Sequence, residues 1–66
     1  MQLKVDTSTA IEIAREFLEQ SYTTVIFENI IMEENVWIIQ FNVGFLKENL
    51  KNVRIEANTG KIIGCT

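Results

Sequence analysis

Among its 66 residues the chain has no histidine, no proline, one cysteine, three glycines and one tryptophan. Each shortage closes a route. Without histidine and with a single thiol, there is no Cys/His cluster for a structural metal and no imidazole to activate a serine or cysteine nucleophile. One cysteine cannot make an internal disulfide. The apolar runs are only a few residues long, far short of the roughly 20 that a spanning helix needs, so no membrane insertion is expected. The N-terminus "MQLKVDTSTA" lacks the basic-then-apolar pattern of an export signal. With Met1 as the native start the chain is expected in the cytoplasm; with a leader already removed, it is expected outside it.

Positive charge is also scarce. Six basic against nine acidic side chains leave a net charge of -3 and a pI near 4.7. Phosphate contacts supply most of the affinity for nucleic acid and need a basic face, so nucleic acid is not an expected partner. The charge is uneven. Residues 1–43 hold two basic and seven acidic side chains (net -5), and residues 44–66 hold four basic and two acidic (net +2).

What is present is an ordinary globular composition, 47% hydrophobic and 23% charged, with no biased tract. Residues 1–66 are expected to form one domain. A domain of this size buries only about 60% of the surface that its unfolded chain exposes. With neither disulfide nor metal site to help, self-association is the remaining source of added stability.

In "DTSTAIEIAREFLEQSY", Ala10, Ile13, Ala14, Phe17 and Leu18, with Ile11 beside them, make one helical stripe. The spacing predicts a helix over about 7–20. Asp6 fits the N-cap, with Val5 and Ala10 placed as a hydrophobic staple, while Thr9 and Glu12 fit a capping box one turn later. Glu12, Glu16, Glu19 and Arg15 fall on the opposite face. Acid/base chemistry needs carboxylates whose surroundings push their pKa values apart, and a hydrated helix face supplies no such difference. Glu33 and Glu34, adjacent in a turn, offer none either, so no catalytic residue is assigned.

Downstream, "TTVIFENIIM", "VWIIQFNVGFL", "LKNVRIEA" and "KIIGCT" are rich in β-branched and aromatic residues. They predict strands over about 22–32, 36–46, 50–57 and 61–65. The separators "EEN", "KEN" and "NTG" end in Asn35, Asn49 and Gly60, residues that tolerate the left-handed conformation closing a three-residue hairpin loop. Three such loops would pair Ile31 with Trp37, Phe27 with Phe41, Val43 with Val53, Phe41 with Ile55, and Ile55 with Ile63. The expected fold is α+β: one N-terminal helix packed on one face of a four-stranded antiparallel β-meander.

In that register the helix-facing side collects Val25, Phe27, Ile31, Trp37, Ile39, Phe41, Val43, Phe45, Val53, Ile55, Ala57, Ile63 and Cys65. Cys65, opposite Val53, reads as a small buried hydrophobe. The other side carries Thr24, Glu28, Gln40, Asn42, Asn52, Arg54 and Glu56. It also carries Ile26, Ile30, Met32, Val36, Ile38 and Ile62, an apolar patch around the first hairpin that a single helix cannot cover. Contiguous exposed apolar patches mark interfaces, so these six are the candidate interface, for a protein partner or for a second copy as a dimer. Neither outer strand carries proline, leaving the edges open to strand addition.

The stripe "AIEIAREFL" (Ala10 to Leu18), the alternation "VWIIQFNV" (Val36 to Val43) and the close "EANTGKII" (Glu56 to Ile63) resemble the PepSY family. This small domain occurs in propeptides of thermolysin-type metallopeptidases and in envelope-associated proteins. The resemblance covers most of the chain, with Glu56 where the family commonly has Asp. It implies a helix on an antiparallel sheet and a non-catalytic role that needs no cofactor: binding, inhibiting or regulating a peptidase or another partner. With no peptidase domain following, the expectation is binding in trans.

Overall fold

The computed structural model of the chain describes residues 5–66. Helix α1 spans Thr7–Glu19, and strands β1 (Ile26–Glu33), β2 (Val36–Asn42), β3 (Leu50–Glu56) and β4 (Ile62–Cys65) follow. The strands form one antiparallel sheet in the order β1-β2-β3-β4. The α+β meander with its N-terminal helix is therefore the observed architecture.

Asp6 is the N-cap. Its backbone is extended, and its Oδ1 accepts from the Thr9 N–H at 2.9 Å, satisfying a donor that the first turn leaves unpaired. That hydrogen bond, with further help from the Thr9 hydroxyl, holds the Asp6 carboxyl below its usual pKa. Val5 and Ala10 are both buried in the core, as a hydrophobic staple requires. The helix lays Ala10, Ala14 and Leu18 against the sheet, and the two alanines let its backbone approach closely. Beneath them Ile39, Phe41, Val53 and Ile55 are fully buried. Each such side chain contributes roughly 1.5–3 kcal/mol. Trp37 ties the chain ahead of the helix to the sheet: its Nε1–H donates to the Val5 carbonyl at 2.9 Å, and the Val5 N–H donates to Ala57 O at 3.0 Å.

The connections do not share one design. Between β1 and β2 only Glu34 and Asn35 intervene, with φ of 49° and 64°. This two-residue, left-handed turn has a twist that matches the flanking strands. It pairs Glu33 with Val36, Met32 with Trp37, Ile31 with Ile38 and Ile30 with Ile39. The expected three-residue loop put Ile31 opposite Trp37. Removing one loop residue slips the strand by one and turns every side chain of the hairpin end to the other face. A bulge at Glu28 takes up the difference, and Phe27 still pairs with Phe41 as expected, their rings edge-to-face at 6.0 Å.

Between β2 and β3 the loop runs over residues 43–49, longer than the expected three. Asn49 does not take the expected left-handed conformation. The pairing becomes Trp37 with Ile55, Ile39 with Val53 and Phe41 with Lys51. This shift from the expected register is an even number of residues, so the faces are unchanged. The last hairpin keeps Gly60 at φ 79° and pairs Val53 with Cys65 as expected. It then gains a residue at Ile63, so that Ile62, not Ile63, lies opposite Ile55. Cys65 is exposed, and Phe45, expected in the core, is 82% exposed.

Candidate functional site

The structure divides the six candidate interface residues between the two faces. Ile30 and Ile62 pack against the core, and Met32 lies opposite Trp37 on that same helix side. Ile26, Val36 and Ile38 lie on the helix-free face, where their partners across the sheet are Asn42, Glu56 and Arg54. The continuous apolar patch expected around the first hairpin is thus cut in half, because the two-residue turn withdraws Ile30 and Met32 from it.

Rows of paired residues describe the helix-free face. From the hairpin end they run Glu33, Val36, Glu56; then Ile31, Ile38, Arg54, Gly64; then Asn29, Gln40, Asn52; then Ile26, Asn42, Leu50. The third row is polar, with Gln40 Nε2 donating to Asn52 Oδ1 at 3.5 Å. Apolar surface therefore stands on both sides of a polar stripe, with Ile31 at 45%, Ile26 at 52% and Leu50 at 40% exposed. Ile31 and Leu50 escaped the sequence reading. Ile31 was placed in the core by the one-residue slip, and Leu50 stood next to a loop and received no face.

A further apolar feature lies in the loop. Phe45 and Leu46, at 82% and 92%, are the most exposed large hydrophobic residues among those described. The loop is nonetheless ordered at its base, where Asn42 Oδ1 accepts from the N–H groups of Gly44 (3.0 Å) and Asn49 (3.1 Å), and the Val43 N–H donates to Asn49 O (2.8 Å). The signal for it was present in the sequence as Asn42 and Gly44 at the end of an apolar run, a loop composition inside what reads as strand.

Among the described residues there is no enclosed cleft, and no three side chains of metal-binding type lie close enough together to hold an ion. Among them, too, no helix is long and apolar enough to cross a membrane. Glu12, Glu16 and Glu19 are exposed on α1, as are Glu33 and Glu34 at the turn. The fold and this surface define a small α+β domain whose four-stranded sheet has one face that the described residues leave uncovered. No family model, curated protein or solved structure matches the chain.

Proposed function

We propose that the chain is a PepSY-like, non-catalytic binding module that holds a protein or peptide partner through the helix-free face of its sheet, with a thermolysin-type peptidase as the partner class the resemblance implies. The observation that carries this reading is the exposure of Ile26, Ile31 and Leu50 on a face that α1 does not cover. About half of each side chain remains in water, so a partner that covered them would gain on the order of 1 kcal/mol from each. The helix stripe, the Trp37 strand and the Gly60 hairpin, in this order along an antiparallel meander, are the features on which the family resemblance rests.

A second reading is self-association, favoured by the outer edges of β1 and β4, which pair with no further strand among the described residues. The bulge at Glu28 interrupts the β1 edge, a device that discourages flat edge-to-edge pairing, and this favours the helix-free face over the edge as the proposed contact surface. Sedimentation velocity separates the two readings. The wild type alone and the wild type with a thermolysin-type peptidase would be compared with an Ile31→Gln/Ile38→Gln variant. A complex with the peptidase that the variant loses supports the first reading, and concentration-dependent association of the chain alone that the variant loses supports the second. A wild type that stays monomeric and leaves the peptidase unbound and fully active refutes the peptidase and self-association forms together.

A further inference from the structure

The two outer edges of the sheet carry charge of opposite sign. Strand β1 holds Glu28 and Glu33, both exposed, and no basic residue, and Glu34 follows in the turn. At the other edge exposed Lys61 leads into β4, and exposed Arg54 lies on β3 directly opposite Gly64. The register sets these charges in line. One row runs Glu33, Val36, Glu56 across three strands, and the Glu56 N–H donates to Lys61 O at 2.9 Å, so Lys61 ends that row on the β4 side. In the next row Gly64, where an added Cβ would meet nothing within 4 Å, puts no side chain between Arg54 and the edge.

We propose that a second copy of the chain adds at β4 by its own β1, edge to edge and head to tail, with Glu33 of the incoming copy beside Lys61. The proposal rests on the self-association reading, deepens it by naming the two surfaces that meet, and leaves the helix-free face of every copy open to a partner. Strand parity permits it. In an antiparallel meander of four strands β1 and β4 run in opposite directions, so a copy shifted sideways lays its β1 antiparallel to β4 with its helix on the same side of the sheet. A contact between two different surfaces leaves one of each still exposed, so further copies keep adding.

Charge selects both the pairing and the occupant. Two β1 edges together would bring acidic residues against acidic ones, and two β4 edges would do the same with Lys61 and Arg54; only the head-to-tail pairing joins opposite signs. An unrelated extended peptide would have to be ordered on binding, a cost that a folded copy has already met. Length fits as well. β4 has only four residues, and residues 29–33 of β1, beyond the bulge at Glu28, are regular and long enough to match it. Ile31, 45% exposed in β1, and Ile63, 50% exposed in β4, lose water at the same contact. Glu56, one strand further in, offsets part of the attraction, and the extra residue at Ile63 makes the β4 edge uneven. Each contact is therefore weak, sensitive to salt, and built up only at high concentration.

Sedimentation velocity of the whole chain over a concentration series into the millimolar range tests the proposal. The wild type's mean sedimentation coefficient should keep rising with concentration, without the plateau of a closed dimer. Glu33→Lys and Lys61→Glu, each of which gives both edges the same sign, should weaken association about tenfold or more. The double variant Glu33→Lys/Lys61→Glu restores opposite signs at the wild type's net charge and should recover it. Glu19→Lys, which changes the net charge equally on exposed α1, and Ile38→Gln, on the face, should associate as the wild type does. Should either reversal fail to fold by circular dichroism, Glu33→Gln or Lys61→Gln removes the charge instead. A wild type that stays monomeric throughout overturns the proposal together with the self-association reading. A plateau at the dimer, association that survives both single reversals, or a double variant that does not recover overturns the proposal alone, and loss in Ile38→Gln then keeps self-association through the face.

Discussion

Replacing Gly60 with valine tests the last hairpin and the seat of the helix together. Gly60 closes the turn after β3 at φ 79°, with its N–H donating to Glu56 O at 2.8 Å. A β-branched residue held in that left-handed region costs about 1–3 kcal/mol. Space adds a second cost. The new Cβ would lie 3.3 Å from Val5 Cγ2 and 3.5 Å from Ile13 Cδ1, and the γ-methyls of valine add further bulk beside those side chains. Because relaxation of one strain relieves part of the other, the expected loss is about 2–4 kcal/mol. A domain of this size holds only roughly 3–10 kcal/mol in all, and each kcal/mol moves its melting temperature by about 4–8 °C. The valine variant should therefore melt at least about 10 °C lower by circular dichroism, and Gly60→Asn, which tolerates the left-handed region, should lose less. Gly64→Ala is the control, since an added Cβ there meets nothing within 4 Å, and its stability should stay within about 0.5 kcal/mol of wild type or rise slightly. A Gly60→Val melt within about 3 °C of wild type, or an equal drop for Gly64→Ala, would refute the assigned turn and the packing of Val5 and Ile13 over it.

The first hairpin has its own test. Ile30→Lys places a charge on the helix side opposite fully buried Ile39 and should cost more than about 2 kcal/mol in urea unfolding, whereas Ile31→Lys, on the open face, should cost less than about 1 kcal/mol; the reverse order would restore the three-residue loop. For pH, the folded Asp6 carboxyl sits below its unfolded value because of the Thr9 hydrogen bond. Its stabilisation is thus present above the unfolded carboxyl pKa of about 4 and is lost as pH falls through the folded value. Asp6→Asn should flatten this part of the acid limb of the urea midpoint against pH, and superimposable limbs would show that the cap is absent in solution.

Local signals in the sequence were enough for the elements and their order. A helical stripe led by Asp6, and four β-rich runs separated by short polar segments, specify a helix and a meander because each unit depends on residues a few positions apart. Asn35 and Gly60 were also legible as left-handed positions, since few residues tolerate them. The faces of β1 and β4 were not. Ile30 and Ile31 are chemically identical, as are Ile62 and Ile63, so alternation cannot say which of each pair points inward, and a turn one residue shorter in the first hairpin, or an extra residue in β4, reverses the answer. Only the tertiary structure decided it. The left-handed turn at Glu34 and Asn35 sets the hairpin end of β1, the pairing of Phe27 with Phe41 sets the other end, and the bulge at Glu28 reconciles the two. The exposed tip of Phe45 and Leu46 was hidden for a related reason. Its loop is closed by Asn42 reaching across to the backbone at Asn49, and a hydrogen bond between residues seven apart leaves little more than Asn42 and Gly44 as a local sign in a run that otherwise reads as strand.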